Sequence, residues 1–234
     1  PPREDSDGSF VKILCVADHI DPLVYSMTIK KRFSDIDLVL SAGDLPMDYL
    51  GFIASSLNVT VGFVFGNHNL KELPTFHRSA RNTLESTTLN HQLRNHFGAT
   101  FLEDRVRNVE GLLIAGLGGS MRYNDGEHQF TEVQMYRRMW RLVPRLLWNR
   151  LVHGRYLDIL LTHASPRGIH DKQDPCHVGF RSMLWFMRWF KPRYLLHGHI
   201  HLYDLNTERA TRYRETEVIN VYDHYVLNVE GAHE

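Results

Sequence analysis

Short apolar runs that end in a metal-capable polar residue recur along the chain. FVKILCVA leads to Asp18, LVLSAG to Asp44, VTVGFVFG to Asn67, YLDILLT to His163 and YLLHG to His199. Apolar runs of this length read as buried strands. Helix-like segments from about Pro22 to Phe33 and from Pro46 to Leu57 separate the first three, and Pro46 suits a first helical turn. Alternation of strand and helix makes a parallel sheet with helical crossovers. The chain is thereby held to an α/β fold whose polar residues collect at the carboxyl ends of its strands.

The spacing predicts strands at Phe10–Ala17, Leu38–Ser41, Val59–Phe65, Tyr156–Leu161 and Tyr194–Leu196. Shorter β segments are expected at Phe101–Leu102, Val106–Val109 and Leu112–Leu117, and a β tail from Arg212 to Asn228 with a turn near Asp223-His224. A long helix is expected from Phe130 to about Val152, bent or interrupted at Pro144. The segment Phe180–Phe190 is apolar nearly all round, which makes it a core helix or a homodimer contact. Residues 69–97, with His77, Arg78, Arg81, His91 and His96, read as a long loop plus one or two helices near the site mouth. The loop GLGGSMRYND should sit beside the strand ends. There Arg122 and Asn124 are candidate substrate-binding residues, with a solvated loop as the alternative.

The 234 residues suit a single domain over 10–234 after a loose tail over 1–9. Lys+Arg and Asp+Glu both total 27, so no basic field argues for nucleic acid, and a small substrate is favoured. Cys15 and Cys176 make no disulfide framework; Cys15 reads as a small core hydrophobe, and a reducing, cytoplasmic setting is the simplest expectation. No uncharged apolar run of about 18 residues exists, so no membrane partner is expected. PPREDSDGS lacks the apolar core of a signal peptide.

His197, His199 and His201 alternate, and residues i and i+2 of an extended chain share a face. Asp44 is the natural bridge between two cations, which repel unless a carboxylate lies between them. Asp18 would hold one metal and Asn67 the other, with His163, His199 and His201 as nitrogen ligands. A mixed N/O set suits Mn, Fe, Zn or Co better than Ca. Water between two such ions loses a proton near neutral pH and becomes a nucleophile. His68 points away from Asn67 and is placed to protonate a leaving oxygen. His197 reads as a supporting hydrogen-bond partner or as packing, Arg167 and His170 as substrate contacts or loop residues, and His177 as structural or solvent-facing.

The ordered set Asp18, Gly43-Asp44, Gly66-Asn67-His68, His163 and Gly198-His199-Ile200-His201 resembles the calcineurin-like metallophosphoesterase family. The resemblance implies a four-layer αββα sandwich of two mixed sheets flanked by helices. It also implies a phosphate monoesterase or phosphodiesterase with two divalent ions. Asp18 and His201 would serve the first ion, Asp44 would bridge, and Asn67, His163 and His199 would serve the second, with His68 assisting the leaving group. The family's first motif is Asp-x-His, and here Ile20 stands where its His would be. His19 and Asp21 are the nearest replacements. The alternative function is a non-catalytic binding scaffold of the same fold with a weakened first metal site.

Overall fold

The computed structural model describes residues 10–76, 98–203 and 207–230. The expected tail over 1–9 and His77, Arg78, Arg81, His91 and His96 lie outside the described residues. One sheet contains β1 (Phe10–Ala17), β2 (Leu38–Ser41), β3 (Thr60–Phe63), β4 (Ala99–Phe101) and β13 (Asp223–Glu230), in the order β13-β1-β2-β3-β4. Its strands β1 to β4 run parallel, and β13 closes the edge antiparallel to β1. The other contains β5 (Arg105–Val109), β6 (Leu112–Leu117), β9 (Ile159–Thr162), β10 (Tyr194–His197), β11 (Ala210–Tyr213) and β12 (Thr216–Asn220), in the order β11-β12-β10-β9-β6-β5. Its inner strands β12, β10, β9 and β6 are parallel and both edges antiparallel. β7 (Ser120–Met121) and β8 (Gln129–Phe130) form a small separate pair.

Period-two side-chain alternation divides the interior into layers. Ile13, Cys15 and Ala17 of β1 meet Ile114, Leu161, Leu196 and Ile219 between the sheets. Leu14 and Val16 point the other way, to α1 (Ile29–Arg32), α2 (Met47–Leu57) and α3 (Leu73–Phe76), through Ile29, Leu50, Ile53 and Phe76. On the far side Leu160, Leu195 and Val218 pack beneath two further helices, α4 (Glu132–His153) and α5 (Arg181–Phe190), against Met135, Met139, Leu142 and Phe186. The result is the expected four-layer αββα sandwich of two mixed sheets. Cys15 is buried and free, as a core hydrophobe should be.

Two local expectations change. The helix expected over 22–33 shortens to α1, because the Asp21 carboxylate accepts the Leu23 N–H at 2.7 Å and the Asp21 carbonyl accepts Val24 and Tyr25, which closes tight turns first. α4 is one unbroken helix through Pro144. Trp140 and Pro144 are both exposed, so the missing Pro144 N–H falls on the outer face of the helix. The C-terminal turn lies between β12 and β13, next to Asp223 as expected, and Asp223 begins β13 with φ 63°. Within α5, Met183, Phe186, Met187 and Phe190 are buried, which bears out the core reading.

Candidate metal centre

The carboxyl ends of β1, β2, β3, β9 and β10 open on one edge of the sandwich, and the chain places a polar residue just past each. Asp44 follows β2 in a left-handed conformation, φ 58°, behind Gly43 at φ 102°. A Cβ on Gly43 would lie 2.9 Å from His163 Nδ1, and one on Gly66 would lie 2.0 Å from Asp44 Oδ1. These glycines let two loops close around the Asp44 carboxylate and the His163 ring. Asp44 Oδ1 accepts the His68 N–H at 2.7 Å, and Asp44 Oδ2 lies 3.4 Å from His163 Nε2. Asn67 Oδ1 is 3.1 Å from the same His163 nitrogen. Asn69 donates its side-chain amide to the Asp44 carbonyl at 2.8 Å and braces the turn.

Each of the two buried imidazoles has one nitrogen fixed by backbone. His163 Nδ1 donates to the Ala42 carbonyl at 2.8 Å, and His199 Nε2 donates to the Cys176 carbonyl at 2.6 Å. That leaves His163 Nε2 and His199 Nδ1 as the nitrogens able to offer a lone pair. The donor atoms of Asp44, His163 and His199 lie within 4.8 Å of one another. One carboxylate, two imidazoles and the neighbouring Asn67 carbonyl are a fitting donor set for a divalent transition metal.

The charges are arranged for a cation. Burial works to lower the His163 pKa, but the Asp44 and Asp18 carboxylates outweigh it and raise it to about 9. Burial opposes ionisation of Asp44, yet His163 and the His68 N–H hold it well below the usual carboxylate range. Burial, with His163 nearby, lowers His199 to about 3, so it stays neutral. Burial pushes Asp18 up to about 7, with His163 opposing and Asp44 adding to the rise.

The other expected ligands are held differently. Asp18, at φ 65°, accepts the His199 N–H on both carboxylate oxygens, at 3.0 and 2.8 Å. A Cβ on Gly198 would sit 2.5 Å from Asp18 Oδ2, so the glycine admits that contact. His201 is half-buried, with Nδ1 3.1 Å from the Tyr203 hydroxyl and its ring 4.9 Å from that of Tyr222. Among the described residues, Asp18 and His201 are not part of the converging group. Ile20 is exposed. Both candidate replacements have other partners: His19 pairs with Asp223 at 2.7 Å, and Asp21 pairs with His224.

His68 is exposed beside the centre, tied to it through its backbone. Arg122 and Asn124 are also exposed, and Asn124 Oδ1 accepts from Gly126 N–H at 2.8 Å and Gln129 Nε2 at 2.6 Å, which shapes its own loop. His197 is buried; it donates Nδ1–H to the Gly198 carbonyl at 2.9 Å and meets His170 at 2.9 Å, a supporting role behind the histidine loop. Arg167 faces Asp171 at 3.8 Å, and His177 pairs with Asp174 at 2.6 Å.

Sequence reasoning missed a buried brace. His128 Nδ1 donates to the Gly66 carbonyl at 2.6 Å, and its Nε2 lies 2.7 Å from Glu103 Oε1. Arg138 donates to Glu103 at 2.6 Å, to Asp104 at 2.8 Å and to the Gly118 carbonyl at 2.7 Å. Burial opposes the Glu103 charge, but His128 and Arg138 prevail and keep its pKa low. This network holds the Gly66–Asn67 turn from behind. The one sequence signal was an acid, Glu103, directly after the apolar pair Phe101-Leu102.

The sequence profile described as calcineurin-like phosphoesterase matches residues 11–203. No curated protein matches the chain in sequence. Among solved structures, one crystal structure is similar with a TM-score of 0.61 at 11% identity, covering 95% of this chain and 100% of that one. The crystal structure of TT1561 of Thermus thermophilus is similar with a TM-score of 0.56 at 12% identity, covering 95% of this chain and 99% of that one. At these identities the likeness is one of fold.

Proposed function

The chain belongs to the calcineurin-like phosphoesterase family, and from that premise we propose that it hydrolyses a small phosphate monoester or diester with two divalent ions, Mn, Fe or Zn. The observation that carries this reading is the convergence of Asp44, His163 and His199, with one nitrogen of each imidazole fixed by a backbone carbonyl. In this reading Asp44 would serve both ions, Asn67, His163 and His199 would hold the second, and Asp18 and His201 would serve the first. Bound there, the ions would supply a nucleophilic water at neutral pH and neutralise charge on the phosphoryl oxygens. His68, exposed at the rim, donates a proton to the leaving oxygen. Arg122 contacts the phosphate, and Asn124 orders the loop that carries it. The whole of 10–234 acts as one catalytic domain in a reducing, cytoplasmic setting.

A second reading has a specific observation behind it. Ile20 offers no electron pair, and His19 and Asp21 are paired elsewhere, so the first ion has few protein ligands and the chain could serve as a binding scaffold. Metal analysis together with turnover of a nitrophenyl phosphate monoester and diester separates the two. Two ions per chain with turnover of either ester is the expected result. Stoichiometric Mn loading with no turnover of either would favour the scaffold.

A further inference from the structure

Helix α4 is apolar twice. Its inner face packs Met135, Met139, Leu142 and Leu146 onto the second sheet. Its outer face carries Val133, Trp140, Leu147, Trp148 and Leu151, which are 54–79% exposed. At about 100° per residue, Val133, Trp140, Leu147 and Leu151 fall in a single narrow stripe opposite the buried one. An ordinary surface helix is polar there. Arg137 lies on one flank of the stripe and Arg150 on the other, while Arg141 and Arg145 turn progressively away toward a cleft they share with Asp104 and Arg107. The one acid between Glu132 and His153 is Glu132 itself, and its carboxylate accepts the Arg181 and Ser182 N–H groups at 3.1 and 2.6 Å. Among the described residues, none of those four arginines of α4 forms an ion pair. On α5, Trp189 is 63% exposed beside Arg188. The Trp140 and Trp185 rings, 5.5 Å apart, join the two helices.

We propose that this face is a peripheral contact with an anionic lipid bilayer. Tryptophan is at home at the boundary of apolar and wet regions, with its ring among acyl chains and its N–H in the headgroups. Flanking arginines meet lipid phosphates while their stems cover apolar surface. Among the described residues no helix is long and apolar enough to cross a membrane; α4 lies on the bilayer with its stripe inserted. The earlier expectation of no membrane partner rested on the lack of a spanning run and does not bear on a surface contact. A second copy is disfavoured by charge. A two-fold interface is self-complementary, so it would set arginine flanks against each other with no acid between them. A nucleic acid would engage the arginines but leave Val133, Leu147 and Leu151 in water with nothing gained.

The test is flotation of the full chain with vesicles of phosphatidylcholine alone and of phosphatidylcholine with about one-third phosphatidylglycerol, at low and high salt. Binding to the anionic vesicles alone is expected, weakened by salt and accompanied by a blue shift of tryptophan emission. Trp148→Glu with Leu151→Glu should abolish it. Arg137→Gln with Arg150→Gln should weaken it roughly 25-fold, about fivefold per charge. Both double variants should retain metal content and turnover of the soluble aryl ester, so a failed phosphoesterase reading would be seen separately. Three results would overturn the proposal. They are no partition to anionic vesicles, a solution dimer that Leu151→Glu splits, and duplex DNA binding in place of vesicle binding.

Discussion

Asp44, His163 and His199 are carried on buried strand ends, and each has a second contact that fixes its direction: the His68 N–H, the Ala42 carbonyl and the Cys176 carbonyl. The ligands expected for the first ion are held differently: Asp18 also follows a buried strand and is fixed by a backbone N–H, but that contact engages both of its carboxylate oxygens. His201 rests against Tyr203 and Tyr222, and residues 19–21 form a turn whose polar side chains pair with β13. The difference teaches that convergence of polar residues on one edge does not by itself make a ligand site. A site is organised where each donor is held by a second bond that leaves its lone pair free. The half in which both Asp18 oxygens and His201 Nδ1 are already engaged is also the half that carries Ile20, a side chain with no electron pair to offer.

Removing the group shared by both halves should have the largest effect. Asp44→Asn strips a buried charge from its partner, a change worth about 3–5 kcal/mol, and should lower affinity for both ions by roughly 10²–10³-fold. Elemental analysis after gel filtration should find less than one ion per chain; two full ions would remove Asp44 from the bridging position. His68 belongs to neither half and serves as a control. His68→Ala should keep the metal content and lose about 10²-fold in turnover. The loss should be smaller for nitrophenolate than for an alkoxide leaving group, and an equal loss with both would exclude the acid role.

The brace behind the organised half comes next in size. His128→Ala frees the Gly66 carbonyl and loosens Asn67, so affinity of the tighter ion should fall about 10-fold or more. The weaker site should be unchanged in the same titration. Loss of both sites together would point to unfolding instead, and circular dichroism would report it.

A pH series sharpens the contrast further. With its pKa raised to about 9, His163 is protonated in the metal-free protein at neutral pH. Its contribution to the metal-free fold is therefore full below about pH 6.5 and lost as pH rises through about 9. A metal ion must displace that proton, so the tighter site should gain about tenfold in affinity per pH unit up to that point. Unfolding curves of metal-free and Mn-loaded protein should diverge as pH rises. Parallel curves across that window would mean that His163 binds no metal.

The strands and the order of polar residues at their ends were legible because a buried strand is an unbroken apolar run and its end is marked by Gly and Asp. Gly43-Asp44 and Gly66-Asn67 are such cases, and the family resemblance rested on them. Part of what was not legible depends on contacts distant in sequence. Glu103, His128 and Arg138 share one cluster, yet 35 residues separate Glu103 from Arg138, and no periodic pattern links them. The short α1 was overread because the Asp21 side chain competes locally for backbone N–H groups. The role of Asn69 was hidden because a side-chain amide bracing a carbonyl leaves no mark in spacing.

The inequality of the two halves is tested most directly by calorimetric titration of Mn into the metal-free protein and its Ile20→His variant. Ile20 is 38% exposed, so the substitution does not open the core. Two affinity classes are expected in the unmodified protein, with the weaker one lost first on chelation. Ile20→His should tighten that weaker class roughly tenfold and leave the tighter one in place. Two equally tight sites in the unmodified chain, with no response to Ile20→His, would contradict it and assign the missing ligand to another residue.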